Sequence, residues 1–106
     1  MSDSPLVITL RRREWDIASR DELRVVLEPA SQRSAVIVDM SDVTFMDSTA
    51  LSEIVAMQLA RHQGGLGPAA FVVTNANILR LFKLVKFDRL WPIFETAAAA
   101  LEGVSL

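Results

Sequence analysis

The chain contains no cysteine and only one histidine, His62. Without cysteine it can form no disulfide and no thiolate zinc site, and it has no cysteine nucleophile. A single histidine also excludes the metal sites that are built from several histidines. None of the four glycines belongs to a nucleotide loop followed by Lys-Ser or Lys-Thr. We therefore expect neither a metal nor a cofactor.

A basic excess is also missing, since 11 Lys and Arg residues stand against 13 Asp and Glu residues, for a formal net charge of −2. Nucleic-acid-binding domains usually carry a marked positive charge, so no nucleic-acid partner is expected. The one basic run, Arg11-Arg12-Arg13, is followed by Glu14 and Asp16 and is interpreted as a solvated strand end.

Long apolar runs are absent, although 51% of the 106 residues are hydrophobic. A membrane span needs about 20 consecutive apolar residues, so no membrane insertion is expected. Residues 2–10 lack the charged start and long apolar stretch of a signal peptide. The sequence thus predicts one cytoplasmic domain over residues 1–106, with a core from about 6 to 102.

Short apolar runs alternate with helical patterns along the chain. Strands are predicted at 6–10, 36–38, 69–74 and 90–94, the last at a sheet edge because it contains Pro92. Helices are predicted near 19–30, 48–62, 75–85 and 97–102, with start signals at Ser19, at Asn75 or Asn77, and at Thr96. This alternation predicts an α/β domain with a largely parallel central sheet.

A serine hydrolase built on Ser48 and His62 is excluded within one subunit. The two residues lie 14 positions apart on one predicted helix, which separates them by about 21 Å. A serine–histidine hydrogen bond needs about 3 Å. His62 is instead interpreted as a solvated residue near a helix C-terminus.

Three carboxylates, Asp39, Asp42 and Asp47, lie between a predicted strand and the second helix. They suggest either a magnesium site or a phosphoryl-accepting aspartate, but the second reading requires a lysine at the end of a later strand. Lys83 and Lys86 fall within or just after a helix. Helix caps and turns are the preferred explanation, and we expect no enzyme.

The most informative segment is Phe45-Met46-Asp47-Ser48-Thr49-Ala50-Leu51. It follows a buried-strand pattern and leads into a helical one, so Ser48 is expected at or beside a helix N-terminus. There the backbone N–H groups lack partners and the helix dipole favours negative charge. The Ser48 hydroxyl is therefore expected to cap the helix or to accept a phosphate without disturbing it.

The stretch 40–51, Met-Ser-Asp-Val-Thr-Phe-Met-Asp-Ser-Thr-Ala-Leu, resembles the signature of the STAS domain family. Residues 14–16, Glu-Trp-Asp, and 85–94, Val-Lys-Phe-Asp-Arg-Leu-Trp-Pro-Ile-Phe, are similar to two further family segments. The resemblance covers about 6–101. It implies a mostly parallel, mixed sheet of about four strands, with about four helices packed mainly on one face.

The best-known family members are bacterial anti-sigma factor antagonists. The resemblance implies that an anti-sigma factor with a serine-kinase fold phosphorylates Ser48. It also implies that only the unmodified protein binds this anti-sigma factor and so releases the sigma factor. A phosphatase is expected to remove the phosphate and restore binding. Asp47 is expected to orient Ser48 and the phosphoryl donor. The implied partner-binding residues are Asp16, Asp47, Ser48, Thr49, Ala50, Leu51 and Ser52.

Three departures from the family pattern carry their own expectations. Ala50 and Arg13 stand where the family has glycine, and the Ala50 methyl is expected to crowd a close-fitting partner. Only five residues precede Leu6, so the usual first strand is expected to be missing, which would leave an open sheet edge and favour a homodimer.

The same family also includes constitutive subunits of lipid-transport ATPase complexes and scaffolds of stress-signalling assemblies. The resemblance therefore leaves open a second function of this kind, in which Ser48 is not phosphorylated.

Overall fold

The computed structural model describes residues 4–105, so the first three residues and Leu106 of the predicted domain lie outside it. The central sheet has four parallel strands in the order β1-β3-β5-β6, formed by Leu6–Thr9, Val36–Asp39, Ala70–Val72 and Ile93–Phe94. A separate parallel pair consists of β2, Glu14–Trp15, and β4, Phe45–Met46. The predicted α/β class and the four-stranded sheet are confirmed. The expected mixture of strand directions is not found, because every strand pairing within residues 4–105 is parallel.

The helices number five in the described part of the chain: α1 Arg20–Leu27, α2 Ser48–Gln63, α3 Ala76–Leu84, α4 Phe87–Leu90 and α5 Ala97–Ser105. Two 3₁₀ segments, Ile17–Ser19 and Glu28–Gln32, flank α1. The short α4 is the helix that the sequence did not predict. It contains Leu90, so the last strand begins at Ile93 and not at Leu90.

The sheet carries its main core on one face. There Val36, Val38 and Phe71 pack with Leu23, Ile54 and Phe82 from α1, α2 and α3. The opposite face is smaller. It places Ile37, Ala70 and Val72 against Ala100 of α5. Helices thus lie mainly on one face, as expected, and the continuous apolar run of β3 is explained by burial on both faces.

Close packing of α5 against the edge strand depends on Gly103. A Cβ atom added at this position would lie 2.6 Å from Cζ of Phe94. Because that distance is far below van der Waals contact, a side chain at 103 would force the Phe94 ring or the helix to move. The N-terminus of the same helix is capped as predicted, since the Ala99 N–H donates to the Thr96 hydroxyl at 3.0 Å.

One predicted helix start is confirmed and another differs. Asn75 caps α3, accepting hydrogen bonds from the N–H groups of Asn77 and Ile78. Ser19, however, does not cap α1 with its side chain. Its hydroxyl instead donates to Asp16, which caps the preceding 3₁₀ segment. The capping box exists but begins three residues earlier, because the 3₁₀ turn takes up Ser19.

Several polar side chains of α2 face inward. Arg61 is completely buried and donates to the carbonyl oxygens of Ala30, Arg33, Ser34 and Gly67 at 2.6–3.0 Å. Burial lowers the pKa of Arg61 below its ordinary value. Its four carbonyl partners satisfy the guanidinium, so this side chain joins α2 to the segments that lead into β3 and β5.

Gln58 and Glu53 complete this polar inner face. Gln58 exchanges two hydrogen bonds with the backbone of Ala69, at 3.0 and 2.8 Å. Glu53 accepts from Arg24 and Arg20 of α1 at 3.0–3.1 Å. The hydrogen bond from Arg24 is the largest influence and, with that from Arg20, lowers the pKa of Glu53 in spite of the opposing effect of burial. Polar contacts therefore help to fix α2 on the sheet and on α1.

Strand β1 lies at one end of the four-stranded order. Among the described residues β1 is thus one of the two edge strands of this sheet, and β6 is the other. The missing first strand, the open edge and the homodimer expected from the sequence stay predictions. In residues 4–105 no helix combines the length and the apolar character needed to cross a bilayer.

Candidate functional site

The short parallel pair of β2 and β4 brings two distant segments of the chain together. Glu14 pairs with Phe45 and Trp15 with Met46. The next residue on each strand is an aspartate, so Asp16 and Asp47 leave the pair side by side. The Asp47 N–H continues the pairing by donating to the Trp15 carbonyl at 3.1 Å.

Asp47 is the N-cap of α2. Its Oδ1 accepts from the Ala50 N–H at 2.9 Å, which satisfies one of the free donors of the first helical turn. Its Oδ2 accepts from the Ile17 N–H at 3.1 Å. One carboxylate thus starts the helix and ties it to the 3₁₀ segment after β2. The expected capping by the Ser48 hydroxyl is wrong, because the preceding residue performs that role.

Ser48 is the first residue of α2 and is exposed. Its carbonyl oxygen accepts from the Ser52 hydroxyl at 2.9 Å, one turn further along. The expected position at a helix N-terminus is confirmed. Because the positive end of the helix dipole lies there, a phosphate on Ser48 would be compatible with the helix.

Asp16 has a parallel structural role beside it. Its Oδ1 accepts from the N–H groups of Ala18 and Ser19 at 3.0 and 3.3 Å and so caps the 3₁₀ segment. The Asp16 carboxylate lies near Arg12 and Arg13, which line one surface pocket together with Asp16. A phosphate on Ser48 would add nearly two further charges next to Asp47.

The structure brings the sequence-predicted site residues together but exposes them unequally. Ser48 and Ser52 are exposed, whereas Asp16, Asp47, Thr49 and Leu51 are partly buried, and Ala50 is fully buried. The methyl group of Ala50 therefore meets the core, and crowding of a partner by that methyl is not supported. The use of Asp47 in two backbone hydrogen bonds also makes it a structural residue as well as a candidate contact.

Two apolar residues beside the site were missed from the sequence. Ile17 is 71% exposed and Phe45 is 48% exposed. Ile17 is bound through its N–H to Asp47, and Phe45 immediately precedes the buried Met46 in β4. A strand of two residues is too short for its alternation to show that Phe45 is exposed. A 3₁₀ turn has no sequence period that would show the exposure of Ile17.

Two of the three carboxylates considered as a metal or phosphoryl-acceptor site serve other purposes. Asp39 accepts hydrogen bonds from the N–H and the hydroxyl of Ser41, as in an Asx turn, and Asp47 caps α2. Among the described residues, no three His, Cys, Asp or Glu side chains come close enough to hold a metal ion. Turn and cap formation accounts for Asp39 and Asp47.

A family model of the STAS domain matches residues 2–100. The chain belongs to the STAS domain family. The segments on which the sequence resemblance depended, around Asp16 and around Ser48, are the ones that β2 and β4 hold together in this STAS domain. No curated protein matches the chain significantly in sequence.

Two solved structures share the fold of this STAS domain. One is a candidate anti-sigma factor antagonist from Thermotoga maritima, with a TM-score of 0.80 and 23% identity, covering 94% of this chain and 88% of its own. The other is an anti-sigma factor antagonist from Mycobacterium paratuberculosis, also at a TM-score of 0.80 and 23% identity, covering 98% and 88%.

Proposed function

We propose that this STAS domain is a cytoplasmic anti-sigma factor antagonist that acts by binding and not by catalysis. Its partner is an anti-sigma factor with a serine-kinase fold, and its binding is switched off by phosphorylation of Ser48 and restored by a phosphatase. The observation that carries the proposal is the exposed Ser48 at the start of α2, held beside Asp16 and Asp47 in a fold shared with anti-sigma factor antagonists.

The physical basis of the switch is local charge. A phosphoserine carries a charge of about −1.5 to −2 near neutral pH. At Ser48 the helix N-terminus tolerates this charge, so the fold is retained. A partner surface that fits the unmodified hydroxyl beside Asp47 would have to desolvate the added charge. Such a mismatch costs several kcal/mol, which is enough to dissociate a complex of moderate affinity.

The surface that meets the partner comprises the exposed and partly exposed residues around α2's first turn. Ser48 and Ser52 offer hydroxyl groups, and Ile17 and Phe45 offer exposed apolar surface. Ala50 contributes through its buried position, which sets the helix against the core, and through its N–H bond to Asp47. The contact therefore combines hydroxyl groups with exposed apolar side chains, and specific interfaces contain both kinds of surface.

The proposal is tested by phosphorylation in vitro. The full chain is incubated with ATP and each purified serine-kinase-fold anti-sigma factor of the source organism, and the modified residue is mapped by mass spectrometry. We expect one phosphate, on Ser48, in the wild type and in Ser52→Ala, and none in Ser48→Ala. Phosphorylation of Ser48→Ala, or none in the wild type, would contradict the switch. A stable complex without any modification would instead favour the constitutive-subunit or scaffold function.

A further inference from the structure

The outer face of α2 has a composition that its solvent exposure does not explain. Ser48, Ser52, Val55, Leu59 and His62 follow one another at spacings of four, three, four and three residues. At 3.6 residues per turn they lie within about 40° of a single line along the helix. All five are exposed. The face that begins at the candidate phosphorylation site therefore becomes apolar about two to three turns further along, at Val55 and Leu59.

The exposed apolar part of this face is not isolated. Val55 is 42% exposed, Leu59 is 52% exposed, and Leu90 of α4 is 64% exposed. With Leu66 and Trp91 they line an open groove of about 360 Å³ in which the described lining residues include no Asp, Glu, Lys or Arg. We call this the α2–α4 groove. A surface helix normally places its polar residues outward, so exposed aliphatic residues gathered in one groove indicate an interaction surface.

Both walls of the groove are supported by contacts with the core. The Trp91 ring packs 4.4 Å from that of Phe87 and 5.7 Å from that of Phe71, measured between ring centroids. The opposite wall belongs to α2, whose buried Gln58 is bound through both amide atoms to the backbone of Ala69. A preformed groove loses little conformational freedom when it is occupied, which favours its use in binding.

Continuity and size indicate what occupies the groove. Ser48 and Leu59 are on one helix about 16 Å apart along its axis. A specific interface of ordinary size buries about 800 Å² on each partner, which corresponds to a patch about 30 Å across. Because about 16 Å is well within that width, one patch of ordinary size can cover both Ser48 and Leu59. Apolar anchors near the centre with charges at the rim are the usual arrangement of binding energy.

We infer that the α2–α4 groove receives an apolar helix or loop of the same anti-sigma factor that binds at Ser48. This inference rests on the proposed function and deepens it. Leu59 and Leu90 supply the apolar anchor of the complex, while Ser48 lies toward one end of the same surface and supplies the switch. The two roles are separated along one helix, so affinity and regulation can be changed independently.

The test compares Leu59→Ser and Leu90→Ser with Leu101→Ser. Leu101 lies on α5, on the other face of the sheet, and is 42% exposed, so it is a matched control for loss of an exposed leucine. Each full-length variant is checked by thermal unfolding and then titrated calorimetrically with the purified serine-kinase-fold anti-sigma factors of the source organism. We expect Leu59→Ser and Leu90→Ser to weaken binding at least tenfold, and Leu101→Ser to change it less than twofold.

Other results would overturn the inference in distinguishable ways. If the groove variants bind like the wild type while Ser48→Asp does not bind, the groove is not part of the interface and the proposed function stands. If the wild type binds none of the anti-sigma factors, both proposals fail. If Leu101→Ser weakens binding as much as the groove variants do, the effect is not specific to the groove and the inference fails. A wild-type dimer that Leu59→Ser converts to a monomer, with unchanged anti-sigma binding, would assign the groove to a second copy of this chain.

Discussion

The two faces of α2 differ from those of an ordinary surface helix, since polar side chains are buried on the inner face and aliphatic ones are exposed on the outer face. The inner face buries Glu53, Gln58 and Arg61 in hydrogen bonds, in company with the apolar Ile54 and Met57. The outer face exposes Val55 and Leu59 on the line that starts at Ser48. A helix selected only for stability would have the opposite arrangement. The inner polar groups fix the position of the helix, and the outer apolar groups remain available to a partner.

The largest effect on the inner face is expected for Arg61→Leu. The substitution leaves four carbonyl oxygens without their donor, and each unsatisfied buried group costs about 1–3 kcal/mol. We expect the free energy of unfolding to fall by at least about 3 kcal/mol, measured by chemical denaturation. The neighbouring His62→Leu is the control, because His62 is exposed. Equal stability of the two variants would show that the inner polar contacts do not hold the helix.

For Glu53→Gln we expect a smaller fall in the free energy of unfolding, about 1–2 kcal/mol at pH 7. The fall is smaller because the partners Arg20 and Arg24 are about half exposed and can be solvated. The pKa of Glu53 is lowered by folding, chiefly through Arg24. Its contribution is therefore complete above the unfolded pKa of about 4.3 and disappears as the pH falls through the lower folded value.

The measurement for Glu53 is a pair of denaturation series at neutral and acidic pH. The stability difference between the wild type and Glu53→Gln should shrink as the pH falls below about 4.3. Glu28→Gln, at an exposed position directly after α1, is the control for loss of one carboxylate. A difference that persists unchanged in acid would mean that the ionised carboxylate of Glu53 is not what stabilises the fold.

Ala50→Gly tests the departure from the family pattern. Removal of a buried methyl group and introduction of glycine into the first turn of α2 should together cost about 1–2 kcal/mol. Because the methyl does not reach the surface, phosphorylation of Ser48 should proceed at an unchanged rate, as followed by mass spectrometry. A clearly faster reaction in the glycine variant would show that the methyl group acts at the kinase-binding surface after all.

The smallest effect on stability is expected on the outer face. Val55→Ser should change the free energy of unfolding by no more than about 0.5 kcal/mol, because the side chain is 42% exposed. The same variant should weaken anti-sigma binding if the outer face is an interface. Ala56→Ser, one position along on the same helix and also exposed, is the control. A large stability loss in Val55→Ser would place Val55 in the core and remove the contrast between the two faces.

Much of the fold could be predicted from periodicity. The β-branched run of β3 and the helical spacing of Leu23 and Leu27 both reflect burial, which leaves a direct trace in the sequence. The two-residue strands β2 and β4 leave none, since two residues cannot show a period. The extra turn α4 was hidden by Leu90, an exposed residue that the sequence suggests belongs to a strand.

The candidate site could be predicted in part for a related reason. Ser48 and Asp47 belong to a contiguous motif and were found together, although the cap was assigned to the wrong residue. The proximity of Asp16 depends on a pairing across 30 residues that only the resemblance suggested. The sequence does not identify Ile17 and Leu59 as surface residues, although both are exposed. A leucine at helical spacing is ordinarily buried in the core, so its exposure leaves no sign in the sequence.

The most direct test of the central claim is the affinity of the purified anti-sigma factor for wild type, Ser48→Asp and Ser31→Asp. Ser31 is exposed beside the C-terminal part of α2, so the third protein carries the same added charge away from the site. We predict that Ser48→Asp weakens binding by about 100-fold, or about 2.7 kcal/mol, and that Ser31→Asp leaves it unchanged. Equal binding by all three proteins would contradict the phosphorylation switch at Ser48.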